Sequence, residues 1–100
     1  MKVYISGPVT GTVDYVARFE KAEKKLNELG FVAINPVKVN GGLPEDTTYK
    51  QYMKMSIEML KMADTIFLLD GWQASNGARI ELSYALKHGY TVLVDKLEDE

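Results

Sequence analysis

The chain contains no cysteine and a single histidine, His88. The absence of cysteine excludes disulfide bonds, thiolate catalysis and cysteine-ligated zinc. A single histidine likewise excludes a metal site built from several imidazole rings. We therefore expect a site that works without a metal ion and without a cofactor.

An excess of basic residues is also absent. The 100 residues include 12 Lys and Arg against 14 Asp and Glu, which gives a formal net charge of -2 and a pI near 5.4. Non-specific nucleic-acid binding needs a basic face, so we expect no nucleic-acid polymer among the partners. Any phosphate group must be bound locally, by backbone amides or a few side chains.

Long apolar runs are missing as well. The first seven residues pass directly into a short strand and a glycine turn, without the apolar length of a signal peptide or a membrane span. A chain of 100 residues that is 46% hydrophobic and 26% charged is typical of one soluble domain, here residues 1–100, with a single core. We expect a cytoplasmic protein with no membrane partner and room for one site.

Short β-rich runs alternate with helical stretches along the chain. Strands are expected at residues 3–5, 31–34, 66–69 and 91–94, and helices at 13–29, about 48–62 and 78–88. Thr10 or Thr12 is expected to cap the first helix, and Thr48 begins a capping box for the second. This β-α-β-α-β-α-β pattern predicts an α/β fold: a small doubly wound, Rossmann- or flavodoxin-like parallel sheet of about four strands, with helices on both faces. A strand order of 2-1-3-4 would place the reversal of the order between strands one and three.

In such a sheet, ligands bind beyond the carboxyl ends of the strands where the strand order reverses. Two loops meet there: residues 6–11, Ser-Gly-Pro-Val-Thr-Gly, and residues 71–77, Gly-Trp-Gln-Ala-Ser-Asn-Gly. The first loop offers amide N–H groups and hydroxyls to an anion, although it is neither a Walker loop nor a dinucleotide fingerprint. A plain strand-to-helix turn is the alternative interpretation.

Glu81 is expected to face the crevice between these loops. It lies about one turn inside a helix that Ser75 or Asn76 could cap, so the positive end of the macrodipole should keep it ionised. A carboxylate beside a ligand-binding loop can act as a nucleophile or a base. The alternative is an ordinary surface glutamate near the start of a helix.

Two further segments have less specific patterns. Residues 37–47 are polar and rich in glycine, which is typical of a mobile loop and allows a substrate lid. The second long helix carries three methionines beyond its inward face, Met55, Met59 and Met62. They suggest a helix-to-helix dimer interface, with plain core as the alternative.

Four segments together resemble the nucleoside 2-deoxyribosyltransferase-like superfamily, and especially its small DUF4406-type branch, often found in phages. They are YISGPVTG at residues 4–11, Asn35-Pro36, Ala63-Asp64, and GWQASNGARIE at residues 71–81. The resemblance covers nearly the whole chain. It implies cleavage or transfer at an N-glycosidic bond through a covalent sugar–carboxylate intermediate, with Glu81 as the nucleophile. It also implies a homodimer or higher oligomer, because a neighbouring protomer commonly completes these sites.

Three positions refine what the resemblance implies. Ser75 matches the serine that contacts phosphate in the related 2'-deoxynucleoside 5'-phosphate N-hydrolases, which favours a 5'-phosphorylated ligand. Thr10 stands where those hydrolases have an arginine. Ser56 stands where the family enzymes have an aspartate that orients the sugar and assists the leaving base, and Asp70 is a possible substitute acid.

The sequence leaves two main functions open. One is an enzyme acting on the N-glycosidic bond of a (deoxy)nucleoside 5'-monophosphate, and the other is an inactive nucleotide binder, for example a phage protein that sequesters a signalling nucleotide. A third possibility is an interaction module that uses the methionine-rich helix. The candidate catalytic residues are Glu81 and Asp70, and the candidate ligand-binding residues are Tyr4, Ser6, Gly7, Pro8, Thr10, Gly11, Tyr15, Trp72, Ser75, Asn76 and Gly77.

Overall fold

A computed structural model describes residues 1–95 of the chain. Four strands form one sheet: β1 (Lys2–Ser6), β2 (Val32–Ile34), β3 (Thr65–Leu68) and β4 (Thr91–Val94). Their order is β2-β1-β3-β4, and every neighbouring pair is parallel. The predicted fold class is confirmed, and the observed order is the one that places the reversal between β1 and β3. The strand ends differ from the predicted ones by one residue at most, which is the usual uncertainty of such boundaries.

Four α-helices connect and cover the strands: α1 (Tyr15–Glu28), α2 (Pro36–Asn40), α3 (Tyr49–Leu60) and α4 (Asn76–Lys87). A short 3-10 turn, Trp72–Ala74, precedes α4. Within residues 1–95, no helix has both the length and the apolar character needed to cross a bilayer.

Local capping chemistry fixes two helix starts as predicted. The Thr48 side chain accepts the Gln51 N–H at 3.1 Å, and the Gln51 side chain accepts the Thr48 N–H at 2.8 Å, which completes the capping box of α3. The Ser75 Oγ accepts the Ala78 N–H at 3.2 Å and caps α4. These bonds satisfy amide groups that the first turn of a helix leaves without partners.

The predicted cap of α1 by Thr10 or Thr12 is wrong. The Thr12 N–H donates to the Val9 carbonyl at 3.1 Å, so the chain makes a separate turn before the helix. The helix then begins after Asp14, whose side chain makes no capping hydrogen bond. The loop of residues 6–11 therefore does not lead directly into the helix.

The structure also places a helix, α2, where the sequence suggests a mobile polar loop. The Asn35 side chain caps it by accepting the Val37 N–H at 3.1 Å and the Lys38 N–H at 3.4 Å. Pro36 occupies the first helical position, where its missing N–H costs nothing. The strand-ending Asn-Pro pair is thus also a helix start, and the exposed connection to α3 is shorter than expected.

The alternation of side chains along β1 divides the core between two faces of the sheet. Val3 and Ile5 pack with Phe19 and Leu26 of α1 on one face. Tyr4 belongs to the cluster on the other face, with side chains of β3, α3 and α4. Successive strand residues point to opposite faces, so this strand serves both cores. The prediction of helices on both faces is confirmed.

Met59 corrects part of the expected dimer interface. It is buried in the core cluster beneath α3 and so cannot contact a partner. It packs there with its neighbour Leu60 and with Ala63, on the side of the helix that faces the sheet. Met55 and Met62, seven residues apart on α3 and just beyond it, are 40% and 60% exposed.

Candidate functional site

A cavity of about 1100 Å³ lies beyond the carboxyl end of β1. Its walls come from the end of β1 and the loop after it, from one side of α1, and from α2, α3 and the first turns of α4. This is the place at which the strand order reverses, between β1 and its two neighbours. The cavity therefore lies where the sequence analysis expects a ligand to bind.

Glu81 is buried in the wall of this cavity, with 6% of its surface exposed. The Tyr4 hydroxyl donates to its Oε2 at 2.7 Å, and the Ser6 hydroxyl donates to its Oε1 at 2.7 Å. Tyr4 and Ser6 are two residues apart in β1, so they share a face of the strand and reach the two oxygens side by side. The alternative of a surface glutamate is wrong.

The charge of Glu81 differs from the expectation. Burial raises the pKa of this carboxyl from 4.5 to about 7, and the hydrogen bonds from Tyr4 and Ser6 offset only part of that rise. The macrodipole acts mainly within the first turn, whereas Glu81 is the sixth residue of α4. Near neutral pH the protonated and ionised forms therefore coexist, and the prediction of a fully ionised side chain is wrong.

Tyr4 connects Glu81 to a second layer of polar side chains. Ser56 lies near the Tyr4 hydroxyl and offsets a small part of the rise in its pKa, and the Asn40 Nδ2 donates to the Ser56 Oγ at 3.4 Å. Burial and the neighbouring Glu81 charge both raise the pKa of Tyr4 well above its ordinary value. The hydroxyl of Tyr4 thus stays protonated and acts as a fixed donor to the carboxylate.

Asn40 carries the one unsatisfied buried side-chain atom found within residues 1–95. Its Oδ1 is shielded from solvent yet has no hydrogen-bond partner, and the residue lines the cavity. An unpaired buried carbonyl costs free energy, about 1–3 kcal/mol, unless a partner arrives. A ligand with an N–H or O–H group near α2 would supply that partner.

Two glycines allow the walls of the cavity to approach closely. A Cβ on Gly7 would lie 2.7 Å from the Leu69 Cβ, so only glycine lets the loop after β1 pass the end of β3. A Cβ on Gly77 would lie 3.2 Å from the Met53 Sδ and 3.4 Å from the Tyr49 hydroxyl. The start of α4 therefore sits directly against α3.

Most of the predicted site residues line this one cavity. They are Tyr4, Ser6, Gly7, Pro8, Thr10, Tyr15, Ser75, Asn76, Gly77 and Glu81. The two loops and the carboxylate that the sequence analysis identified separately are thus brought together.

Gly11, Asp70 and Trp72 do not line the cavity. Gly11 is exposed. Asp70 is also exposed, and its main-chain carbonyl accepts a hydrogen bond from Arg18. Gly71 has φ +88° and turns the chain after it, so that Trp72 packs against the core beneath α3 and α4. Trp72 is therefore not placed to bind a ligand in this cavity, and Asp70 is not positioned as the expected acid.

Sequence reasoning missed the contribution of α2 and understated that of α3. Asn35 before Pro36 is a recognisable cap and first helical residue, and it would have indicated α2. On α3, the spacing of three, four and seven residues places a set of side chains on one face of the helix. The cavity-lining members of that face are Tyr49, Tyr52, Met53 and Ser56.

The charged side chains that line the cavity are few. Within residues 1–95 they are Glu81, Glu20 and Lys38, and the Lys38 Nζ lies 3.5 Å from a carboxylate oxygen of Glu23. The same residues contain no group of three or more Asp, Glu or His side chains placed to hold a metal ion. The chemistry available here is that of one buried carboxylate, several hydroxyls and backbone amides.

Comparison with known proteins agrees with this architecture. A solved structure of a 2-deoxyribosyltransferase from the psychrotolerant bacterium Bacillus psychrosaccharolyticus is similar, with a TM-score of 0.74 and 21% sequence identity. The match covers 99% of this chain and 77% of that one, and it shows a shared fold. No curated protein matches the chain in sequence. The family described as "Domain of unknown function (DUF4406)" matches residues 1–94, and the chain belongs to that family.

Proposed function

We propose that the protein binds a (deoxy)nucleoside 5'-monophosphate in this cavity and cleaves or transfers its N-glycosidic bond with Glu81 as the nucleophile. The observation that carries the proposal is the buried Glu81 carboxylate, each oxygen of which accepts a hydrogen bond at 2.7 Å beside a cavity of about 1100 Å³. The shared fold with a 2-deoxyribosyltransferase supports a nucleoside-processing reaction.

The proposed reaction has two displacement steps. Glu81 attacks C1' of the sugar while the bond from C1' to the base breaks and its electron pair leaves with the base. Water, or a second base in a transfer reaction, then attacks C1' and releases Glu81. Tyr4 and Ser6 each occupy one lone pair of the carboxylate, so they orient it and leave other lone pairs free for attack.

The phosphate of the ligand belongs, in this proposal, between the start of α4 and the loop after β1. The first amides of a helix point at a bound anion, and Asn76 and Gly77 line the cavity there. The Ser75 Oγ accepts the Ala78 N–H and keeps its own hydrogen available for a phosphate oxygen. Thr10 offers a second hydroxyl from the opposite wall.

The base belongs on the side of α2 and α3. The unpaired Oδ1 of Asn40 would accept an N–H from it. The rings of Tyr15, Tyr49 and Tyr52 line the same cavity and provide flat apolar surface for a heterocycle. Asp70 has no role in this proposal because it does not line the cavity.

A second candidate function is a nucleotide binder that leaves its ligand intact. Ser56 favours it, because this hydroxyl occupies the position at which the resembling enzymes carry an aspartate. Its buried side chain is held between Asn40 and Tyr4 and presents no carboxyl proton to a leaving base.

One experiment separates the two candidates. The protein and its Glu81→Gln variant are incubated with a panel of nucleoside monophosphates, with base release followed by chromatography and binding by calorimetry. We expect base release that Glu81→Gln abolishes while binding persists. Glu58→Gln is the matched control, because Glu58 lies on the exposed side of α3 and pairs with Lys61 at 2.9 Å. Binding without any base release would favour the second candidate.

We also propose that two protomers associate through the exposed methionines of α3. Met55 and Met62 are exposed apolar side chains seven residues apart, the first on α3 and the second just beyond its end. Sedimentation at micromolar concentration should show a dimer or a larger assembly that Met55→Lys weakens. A monomer under those conditions would contradict the proposal.

A further inference from the structure

Cleavage of an ordinary N-glycoside requires an acid as well as a nucleophile. A neutral purine or pyrimidine leaves as an anion unless a proton reaches it as the bond breaks, and a positioned acid contributes about 10²- to 10⁴-fold to such a step. The cavity should therefore contain a proton donor beside Glu81. The described residues provide no suitable one.

The carboxyl groups cannot fill this role. Within residues 1–95 only Glu81 and Glu20 line the cavity with carboxyl groups. Glu81 must be ionised to attack C1', so it has no proton to give. Glu20 is exposed on α1 and also borders an open groove on the outer surface of that helix. His88 lies at the far end of α4, stacked on Tyr84, and does not line the cavity.

The hydroxyls and the one ammonium group are weaker acids than a carboxyl or are already engaged. Tyr15, Tyr49 and Tyr52 line the cavity with phenol groups, which are far weaker acids than a carboxyl. The Tyr4 hydroxyl gives its proton to Glu81, and its raised pKa makes it a weaker acid than a free tyrosine. Ser56 carries an alcohol, which is a weaker acid still. Lys38 is largely exposed and pairs with Glu23.

We infer that the substrate is a nucleotide whose glycosidic nitrogen belongs to a positively charged ring, such as a pyridinium or an N-alkylated purinium. This inference rests on the proposed function and names the substrate class of the same site. A cationic base becomes neutral when it takes the bonding electrons, so it leaves without a proton. The lack of a strong acid beside Glu81 among residues 1–95 is then compatible with a glycosidase reaction.

The bond changes balance without a further reactant. The C1'–N bond breaks and its electron pair neutralises the ring, while a Glu81 oxygen forms an ester with C1'. A water oxygen then bonds to C1', the ester C–O bond breaks, and its electron pair returns to Glu81. The proton lost by the water passes to solvent, because the neutral base does not take it up. Each turnover therefore releases one free base and one proton.

The walls of the cavity suit a cationic ring. The ionised Glu81 and Glu20 outnumber the single ammonium of Lys38 among the lining residues. Tyr15, Tyr49 and Tyr52 supply ring faces that attract a cation. The volume of about 1100 Å³ slightly exceeds that of ordinary ligand pockets, roughly 300–1000 Å³, so a substituted ring has space.

The test uses a pair of substrates that differ by one methyl group and one charge: N7-methylguanosine 5'-monophosphate and guanosine 5'-monophosphate. We expect kcat/KM for base release to be at least about 100-fold higher for the methylated nucleotide, which is the lower range of what a missing acid is worth. Glu81→Gln should abolish release from both. A pH indicator should record one proton per methylated base released.

Nicotinamide mononucleotide gives a second readout, because the charge of its ring does not change with pH. Its kcat/KM should rise as Glu81 ionises and stay level to pH 9, because no acid has to remain protonated. A falling alkaline limb, or guanosine 5'-monophosphate cleaved within tenfold of its methylated form, would overturn the inference and leave the proposed function standing. If no nucleotide of either charge is cleaved, the proposed function and the inference both fail.

Discussion

Glu81 should make the protein less stable as the pH rises. Its pKa is 4.5 in the reference state and about 7 in the folded protein, because burial disfavours the charged form. The folded state therefore binds the proton more tightly, and the stabilisation is fully present below pH 4.5 and lost as the pH rises through 7. At about 1.4 kcal/mol for each pKa unit, this amounts to about 3 kcal/mol at pH 8.

Glu81→Gln isolates this contribution. Glutamine is neutral at every pH and keeps both contacts: its carbonyl accepts from Tyr4, and its amide donates to the Ser6 oxygen. We expect equal free energies of unfolding for the two proteins at pH 4.5, and a variant that is about 3 kcal/mol more stable at pH 8. For a domain of this size the melting temperature should differ by roughly 12 °C or more.

Urea unfolding measured through the fluorescence of the single tryptophan, Trp72, gives these free energies at a fixed protein concentration. Measurements at pH 4.5, 6, 7 and 8 define the trend. Glu58→Gln serves as the control, because it makes the same chemical change at an exposed carboxylate that lies outside the cavity and pairs with Lys61. A difference between Glu81→Gln and the unmodified protein that stays constant with pH, or that shrinks as the pH rises, would refute the reasoning.

Three further substitutions test the surroundings of Glu81. Tyr4→Phe removes a donor to the carboxylate, and since a hydrogen bond to a charged group is worth about 1.5–3 kcal/mol, the midpoint of the pH–rate profile should rise by about one unit or more. Gly7→Ala places a Cβ 2.7 Å from the Leu69 Cβ and should lower the free energy of unfolding in urea by about 1–3 kcal/mol. Ser56→Asp supplies a buried carboxyl near Tyr4, so neutral nucleotides should be cleaved faster. The ratio of kcat/KM for N7-methylguanosine 5'-monophosphate to that for guanosine 5'-monophosphate should therefore fall. An unchanged ratio would contradict this expectation.

The fold could be predicted because its signals are local. Helix starts at Thr48 and Ser75 depend on side-chain oxygens that bond to amides three residues ahead. The parallel pairing follows from the alternation of strands and helices, since parallel neighbours require helical crossovers. The strand order does not follow from that alternation, but once it is known it gives the location of the cavity.

The state of Glu81 could not be predicted in the same way. Its burial and both of its hydrogen bonds come from Tyr4 and Ser6, which lie 77 and 75 positions away in the sequence. The position of Glu81 in the helix alone suggests a carboxylate that is exposed or stabilised by the helix dipole. Tertiary contacts bury the side chain instead, and this burial raises its pKa. Asn40 was missed for a related reason, since only the packing of α2 against α3 brings it to Ser56.

Ser56 connects the ionisation of Glu81 with the choice of substrate. A second buried carboxyl at this position would place a like charge near Tyr4 and raise the pKa of Glu81 further, because two neighbouring carboxylates cannot both ionise easily. The hydroxyl of Ser56 adds no such charge, and Glu81 ionises as the pH rises through about 7. This hydroxyl also supplies no strong acid for a neutral leaving base. A cavity in which Glu81 can ionise near neutral pH, and for which residues 1–95 offer no second buried carboxyl, is therefore best matched to a leaving group that already carries a positive charge.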